Sequence, residues 1–207
     1  MIFWIFGNHE YYSKMSKPIP MAEKIQAAEK LCATTKVIFL QNATIDIGTF
    51  RFLGATLWTD LGLGEQEYEV RKSMADFGKI KIDTTTHFNT EEWLKEYEKD
   101  RKFIQENLEE CKRDGRRAIV ITHHMPSFRM IQEQYKDYPA NGGFAANADD
   151  LLEDSSVALW ICGHSHGQKI LQYTKQDGEI SACVLNARGY PREDSNETYN
   201  PGFVFNL

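Results

Sequence analysis

The chain has 207 residues, of which 42% are hydrophobic, and a formal net charge of −6 at pH 7. A chain of this size can bury one sizeable core, so we expect a single domain over residues 1–207. Acidic and basic residues are interspersed, which argues against a nucleic-acid-binding face and against binding to an anionic membrane. No apolar run approaches the ~18 residues of a membrane span, so we expect a cytoplasmic protein.

The first quarter of the chain predicts two strands around a helix, followed by a hairpin. The apolar run over residues 2–6 predicts a buried strand. Apolar residues spaced by three and four over residues 21–31 predict a helix, and residues 37–40 predict the next strand. Residues 44–58 are rich in β-forming residues on both sides of Gly48, which is typical of a hairpin.

The middle of the chain predicts the longest helix and two further strands. An apolar stripe ending at Cys111 predicts this helix, and Thr90 is its predicted N-cap. Short apolar strands are predicted at residues 118–121 and 157–162, with a short helix over residues 147–152 between them. A closing hairpin follows, with strands at residues 170–173 and 180–185. The pattern is typical of one α/β domain.

Five of the six histidines follow directly on predicted strands. The three strand ends are Asn8-His9, His123-His124 and His164-Ser165-His166, whereas His87 lies in a threonine-rich loop. One histidine at a strand end is usually a surface or capping residue, but a cluster favours a functional site. Open α/β sheets place their sites at the carboxyl ends of strands. The four cysteines form no C-x-x-C pair, and we expect buried, reduced thiols.

Three motifs resemble the last three signatures of the calcineurin-like metallophosphoesterase superfamily. They are Gly-Asn-His-Glu at residues 7–10, Thr-His-His-x-Pro at 122–126 and Gly-His-Ser-His at 163–166. Each motif alone is weak, but all three occur in the family's order, each after an apolar strand. The resemblance implies a metallophosphoesterase-type α/β/β/α sandwich, incomplete at the N-terminus. It also implies hydrolysis of phosphoesters by metal-activated hydroxide, with two ions clamping the phosphate.

The resemblance also implies the roles of individual residues. Asn8, His123 and His164 would bind the second metal of the family's pair, and His166 would bind the first. His9 would stay off the metals and act as the catalytic group near the leaving group. Imidazole nitrogens and an amide oxygen fit Mn, Fe or Zn ions better than calcium. No motif for an organic cofactor occurs in the sequence.

Three further residues have two interpretations each. His124 is either a residue that supports the ligands or a solvent-facing one. Glu10 either orients a histidine or caps a helical turn. Asp60 either lines the pocket or forms a turn, and aspartate is common in turns.

The sequence departs from the family in one respect. Complete members carry Asp-x-His and Gly-Asp-x-x-Asp ahead of Gly-Asn-His-Glu, and neither motif occurs in residues 1–207. We therefore expect at most one tightly bound metal and little activity from this form. Either the sequence is a fragment or it is a shortened, inactive relative, and the intact ligands favour a fragment. Phe6 stands where protein phosphatases carry arginine, which favours a small-molecule or nucleotide phosphoester as substrate.

Two other functions compete with this interpretation. The first is a non-catalytic scaffold that keeps the fold and binds a partner. The second is a serine α/β-hydrolase, because residues 163–167 match G-x-S-x-G. That motif needs a helix after Ser165 and a later histidine, whereas the sequence predicts a strand there and has no histidine beyond His166.

Overall fold

The structure is a computed structural model that describes residues 1–14, 16–193 and 198–206. The strands within these ranges are β1 (Ile2–Trp4), β2 (Val37–Phe39), β3 (Ala43–Ile47), β4 (Phe50–Ala55), β5 (Arg117–Thr122), β6 (Val157–Cys162), β7 (Gly167–Thr174) and β8 (Ile180–Ala187). The helices are α1 (Met21–Cys32), α2 (Glu67–Ser73), α3 (Asp76–Lys79), α4 (Thr90–Asp114) and α5 (Asp149–Leu152). The predicted α/β class is therefore confirmed.

The central sheet has six strands in the order β3-β4-β5-β6-β8-β7. Strands β4, β5, β6 and β8 are parallel, and the antiparallel strands β3 and β7 lie at the two edges. Strands β5 and β6 pair Ile121 with Ile161, so they end side by side. The residues that follow these two strands are consequently neighbours at one edge of the sheet.

Helix α4 covers one face of the central sheet. Its buried residues Trp93, Ile104 and Leu108 belong to the main core, together with Val120 and Trp160 of the sheet. No helix in the described part of the chain is long and apolar enough to cross a membrane. All four cysteines are buried and unbridged.

The predicted N-cap of α4 is wrong by one residue. Asn89, not Thr90, is the N-cap, and its side-chain oxygen accepts a hydrogen bond from Glu92 N at 3.0 Å. Asn89 has the extended backbone that an N-cap requires, whereas Thr90 is already the first helical residue. The helix ends at Gly115, whose φ of 65° suits a left-handed C-cap.

Strand β1 differs from the prediction of a buried strand. It pairs in parallel with β2 in a separate two-stranded sheet, and the Phe3 ring packs on Phe52 of the central sheet at 4.8 Å. Ile2 is 61% exposed, and Phe6 is the one fully buried residue of the predicted run. Because β2 is its one strand partner among the described residues, β1 is covered less than a central strand would be.

Candidate metal centre

The loops after β1, β5 and β6 meet around one cavity of about 560 Å³. This cavity is lined by all five residues that the sequence predicts for the site: Asn8, His9, His123, His164 and His166. The parallel pairing of β5 and β6 explains why their terminal histidines are adjacent. The backbone N–H of Gly163 donates to the carbonyl oxygen of His123 at 2.9 Å, which joins the two loops.

The Gly-Asn-His-Glu motif forms a short 3₁₀ turn over Asn8–Tyr11. Glu10 caps this turn, because its Oε2 accepts a hydrogen bond from the backbone N–H of Gly7 at 2.8 Å. Gly7 lies against the imidazole ring of His123, and a Cβ added at Gly7 would lie 2.5 Å from two atoms of that ring. The glycine of the motif is therefore required by the close approach of a histidine.

Three atoms with lone pairs converge at the centre of the site. His123 Nε2 lies 3.0 Å from Asn8 Oδ1 and 2.9 Å from His164 Nδ1. A single shared proton can satisfy this contact only in part, whereas a cation accepts lone pairs from all three atoms. Adjacent ligands of an octahedral ion with bonds of ~2.1 Å lie about 3.0 Å apart. Both separations fit ligands of one ion.

The electrostatics of the two histidines also suit a cation. Burial, reinforced by the neighbouring histidines, lowers the pKa of His123 and of His164 well below the ordinary value. Both rings are therefore neutral at pH 7, which is the state that binds metal. Among the described residues, no three side chains of the His, Cys, Asp or Glu type form a cluster able to hold a metal. The proposed set depends on the amide of Asn8 as its third ligand.

A partly buried hydrogen-bond chain orients Asn8. Its Nδ2 donates to the hydroxyl of Tyr12 at 3.4 Å, and that hydroxyl donates to Asp76 Oδ2 at 3.0 Å. Asp76 is fully buried, and burial raises the pKa of its carboxyl. With Nδ2 held by Tyr12, the oxygen of the Asn8 amide is directed to His123. Neither Tyr12 nor Asp76 belongs to a motif, so sequence reasoning missed both.

His9 and His166 line the same cavity but lie outside the three-atom cluster. His9 is exposed, and the hydroxyl of Tyr190 lies 3.1 Å from each of its ring nitrogens. His166 Nδ1 lies 2.6 Å from Glu193 Oε2, which fixes the ring and leaves its other nitrogen for the cavity. A carboxylate in this position is the usual support of a metal-binding histidine. Sequence reasoning missed Tyr190 and Glu193, because no motif contains them.

The structure distinguishes between the two interpretations of His124 and between those of Asp60. His124 does not face solvent: it is fully buried against Trp58, and its Nδ1 lies 3.3 Å from the carbonyl oxygen of Thr56. Asp60 accepts a hydrogen bond from Asn147 Nδ2 at 2.9 Å. This bond ties two loops together, and Asp60 is not among the residues that line the cavity.

The sequence model of the calcineurin-like phosphoesterase family matches residues 1–168, which is most of the chain. The chain belongs to this family. All three motifs of the site fall within the matched residues. Calcineurin-like phosphoesterases generally use divalent metals, and the Asn8, His123 and His164 set fits such an ion in both chemistry and spacing.

Two comparisons show how far the likeness to individual proteins extends. The uncharacterized protein L509 of Acanthamoeba polyphaga mimivirus is 28% identical over 220 residues, which cover 97% of this chain and 71% of that protein. The structure of phosphopantetheinyl hydrolase (PptH) of Mycobacterium tuberculosis is similar, with a TM-score of 0.68 and 15% sequence identity. The match covers 92% of this chain and 70% of the PptH chain. This structural likeness confirms the predicted metallophosphoesterase fold.

TT1561 of Thermus thermophilus is also similar. The two chains are 15% identical, the match covers 89% of this chain and 62% of TT1561, and the TM-score is 0.44.

The structure does not fit the serine-hydrolase alternative. Ser165 is followed by strand β7 and not by the helix that a nucleophile elbow needs.

Proposed function

We propose that this chain is a metal-dependent hydrolase of a small-molecule or nucleotide phosphoester. The observation that carries the proposal is the convergence of Asn8 Oδ1, His123 Nε2 and His164 Nδ1 at a cavity between strand ends. These three residues would hold one Mn, Fe or Zn ion. When bound, such an ion lowers the pKa of a water molecule and neutralises charge on the phosphate.

The residues around this set of ligands have separate proposed roles in the reaction. His9 lies at the exposed side of the cavity and donates a proton to the departing alkoxide, with the Tyr190 hydroxyl holding its ring. His166, held by Glu193, faces the same cavity and is the proposed ligand for the family's first metal. Residues 1–207 contain neither carboxylate motif of the family. We therefore expect one ion at these residues and slow hydrolysis.

The proposed substrate class follows from the size and charge of the site. A cavity of about 560 Å³ accommodates a small molecule. The described residues that line it include neither lysine nor arginine, so the bound ion supplies the main positive charge for an anionic phosphate. The position of Phe6 before the motif agrees with a substrate other than a phosphoprotein.

The test is metal-dependent hydrolysis by the 207-residue chain. We expect slow, Mn²⁺-dependent release of p-nitrophenol from bis(p-nitrophenyl) phosphate and loss of this activity in His123→Ala. His87→Ala is the matched control, because His87 contacts Lys81 and lies outside the cavity. If the metal-loaded chain hydrolyses no phosphomonoester or phosphodiester, the catalytic proposal fails and the scaffold takes its place.

A further inference from the structure

A second cavity, of about 590 Å³, opens beside the candidate metal centre. The two cavities share Phe144, His164 and His166 in their linings, so they form adjoining parts of one site. The second cavity is also lined by Tyr135 and Tyr138, which are 50% and 41% exposed. No proposed ligand other than the shared histidines lies in it. Its lining also includes the charged residues Arg192 and Glu193, and of these an arginine is absent from the described lining of the phosphate cavity. The aromatic side chains nevertheless distinguish this cavity as a place for a ring.

Tyr138, Phe144 and His164 form a continuous aromatic wall, and His164 is a proposed metal ligand. The ring of Tyr138 lies 6.1 Å from Phe144 in an edge-to-face arrangement, and Phe144 lies 4.7 Å from the ring of His164. A group stacked on this wall is consequently adjacent to the metal centre. Both phenylalanine and tyrosine offer flat apolar faces to a planar ring.

The backbone of this wall is held in place before any ligand binds. Asn141 is buried, and its Nδ2 donates to the carbonyl oxygens of Tyr135 at 2.8 Å and Lys136 at 3.2 Å. The backbone N–H of Phe144 donates to the carbonyl oxygen of Asn141 at 2.9 Å. A preorganised pocket loses less free energy on binding than a mobile one. The exposure of two tyrosines is therefore not a sign of a loose loop.

We propose that this second cavity binds a planar, heteroaromatic ring of the substrate, such as a nucleobase, while the phosphate lies at the metal centre. The inference rests on the proposed function and narrows its substrate to phosphoesters that carry such a ring. The volume of the second cavity, about 590 Å³, lies within the ~300–1,000 Å³ that is typical of small-molecule pockets. Stacking on aromatic side chains is tolerant of the identity of the base, so the wall selects a ring and not one particular nucleotide.

The experiment compares two ligands that share a phosphate and differ in the ring. Binding of adenosine 5′-monophosphate and of glycerol 3-phosphate to the Mn²⁺-loaded chain is measured by calorimetry. We expect the nucleotide to bind about 10-fold more tightly, from the stacking of one base. Tyr138→Ala should remove this preference, and Tyr138→Phe, which keeps the ring, should retain it. Tyr68→Ala is the surface control, because Tyr68 is 73% exposed and lines neither cavity.

The outcomes separate this inference from the proposed function. Equal binding of the two ligands, binding of neither, or a preference that survives Tyr138→Ala would overturn the aromatic pocket. If the chain hydrolyses phosphoesters but does not prefer the nucleotide, the inference of an aromatic pocket fails and the proposed function stands. If the chain prefers the nucleotide but hydrolyses no phosphoester, the proposed function fails and the aromatic pocket stands. Tyr138 is partly exposed, so thermal unfolding of each variant checks that the fold is intact.

Discussion

The close approach of Gly7 to His123 gives a prediction in which no proposed ligand is itself substituted. In Gly7→Ala the added methyl group would lie 2.5 Å from Cε1 and Nδ1 of His123 and 2.8 Å from Nε2. The backbone of Gly7 has a φ of −91°, so alanine adopts it without strain. The clash is with the outer end of a side chain, which can rotate away. The substitution should therefore displace the imidazole ring and leave the fold in place.

The size of the effect follows from the distance. Non-bonded carbon atoms pack at ~3.5–4.0 Å, so the ring has to move by about 1 Å. His123 Nε2 lies 3.0 Å from Asn8 Oδ1 and 2.9 Å from His164 Nδ1, and a shift of this size breaks the convergence of the three atoms. Disturbing the groups that orient a metal ligand typically lowers metal affinity by ~10–100-fold. We expect the Mn²⁺ affinity to fall by about 100-fold, which is ~2.7 kcal/mol.

Calorimetric titration with Mn²⁺ measures this change, and urea unfolding of the metal-free chain checks stability. Gly78→Ala is the matched control, because an added Cβ at Gly78 meets no atom within 4 Å. The control should bind Mn²⁺ as the unsubstituted chain does. If Gly7→Ala also binds Mn²⁺ with unchanged affinity, His123 does not bind the ion in the position described.

Three other substitutions test separate parts of the account. Tyr12→Phe removes the hydroxyl between Asn8 and Asp76 and should weaken Mn²⁺ binding by ~10-fold in calorimetry, whereas unchanged affinity would deny that this chain orients the ligand. Burial raises the pKa of Asp100, a buried residue of α4, from 3.8 to about 6. Its protonated carboxyl therefore favours the folded state, and this stability is fully present below pH 3.8 and lost as the pH rises through 6, by about 3 kcal/mol in total. Urea unfolding should show this loss in the unsubstituted chain relative to Asp100→Asn, and parallel pH profiles would refute it. On a phosphoester with an alkyl leaving group, whose alkoxide needs a proton, His9→Ala should lower kcat by ~100-fold or more with Mn²⁺ affinity unchanged, and an unaltered kcat would exclude His9 as the acid.

Most of the secondary structure could be predicted because its signals are local. Strand β6 has the predicted bounds, and the stripe of α4 follows from the spacing of its apolar residues. The gathering of His123 and His164 could also be anticipated, since both follow parallel strands. Their proximity in the structure agrees with the ligand assignment, which stays a prediction.

The missed features depend on contacts between distant parts of the chain. Asp76 reaches Tyr12 across 64 positions of sequence, and no spacing rule connects an isolated aspartate to a motif so far away. The burial of His124 depends on Trp58, which packs under it from another strand end. The separate two-stranded sheet of β1 and β2 was not predicted, because an apolar run shows hydrophobicity but not which strand it pairs with. Such features follow from tertiary packing and not from local pattern.

The central claim is that Asn8, His123 and His164 hold one divalent transition-metal ion. Metal content after saturation with Mn²⁺ and extensive dialysis tests it most directly, with His123→Ala and His87→Ala measured in parallel. We predict one equivalent of Mn²⁺ in the unsubstituted chain and in His87→Ala, and far less in His123→Ala. Two equivalents in the unsubstituted chain, or none in a chain with a well-folded circular dichroism spectrum, would contradict the account.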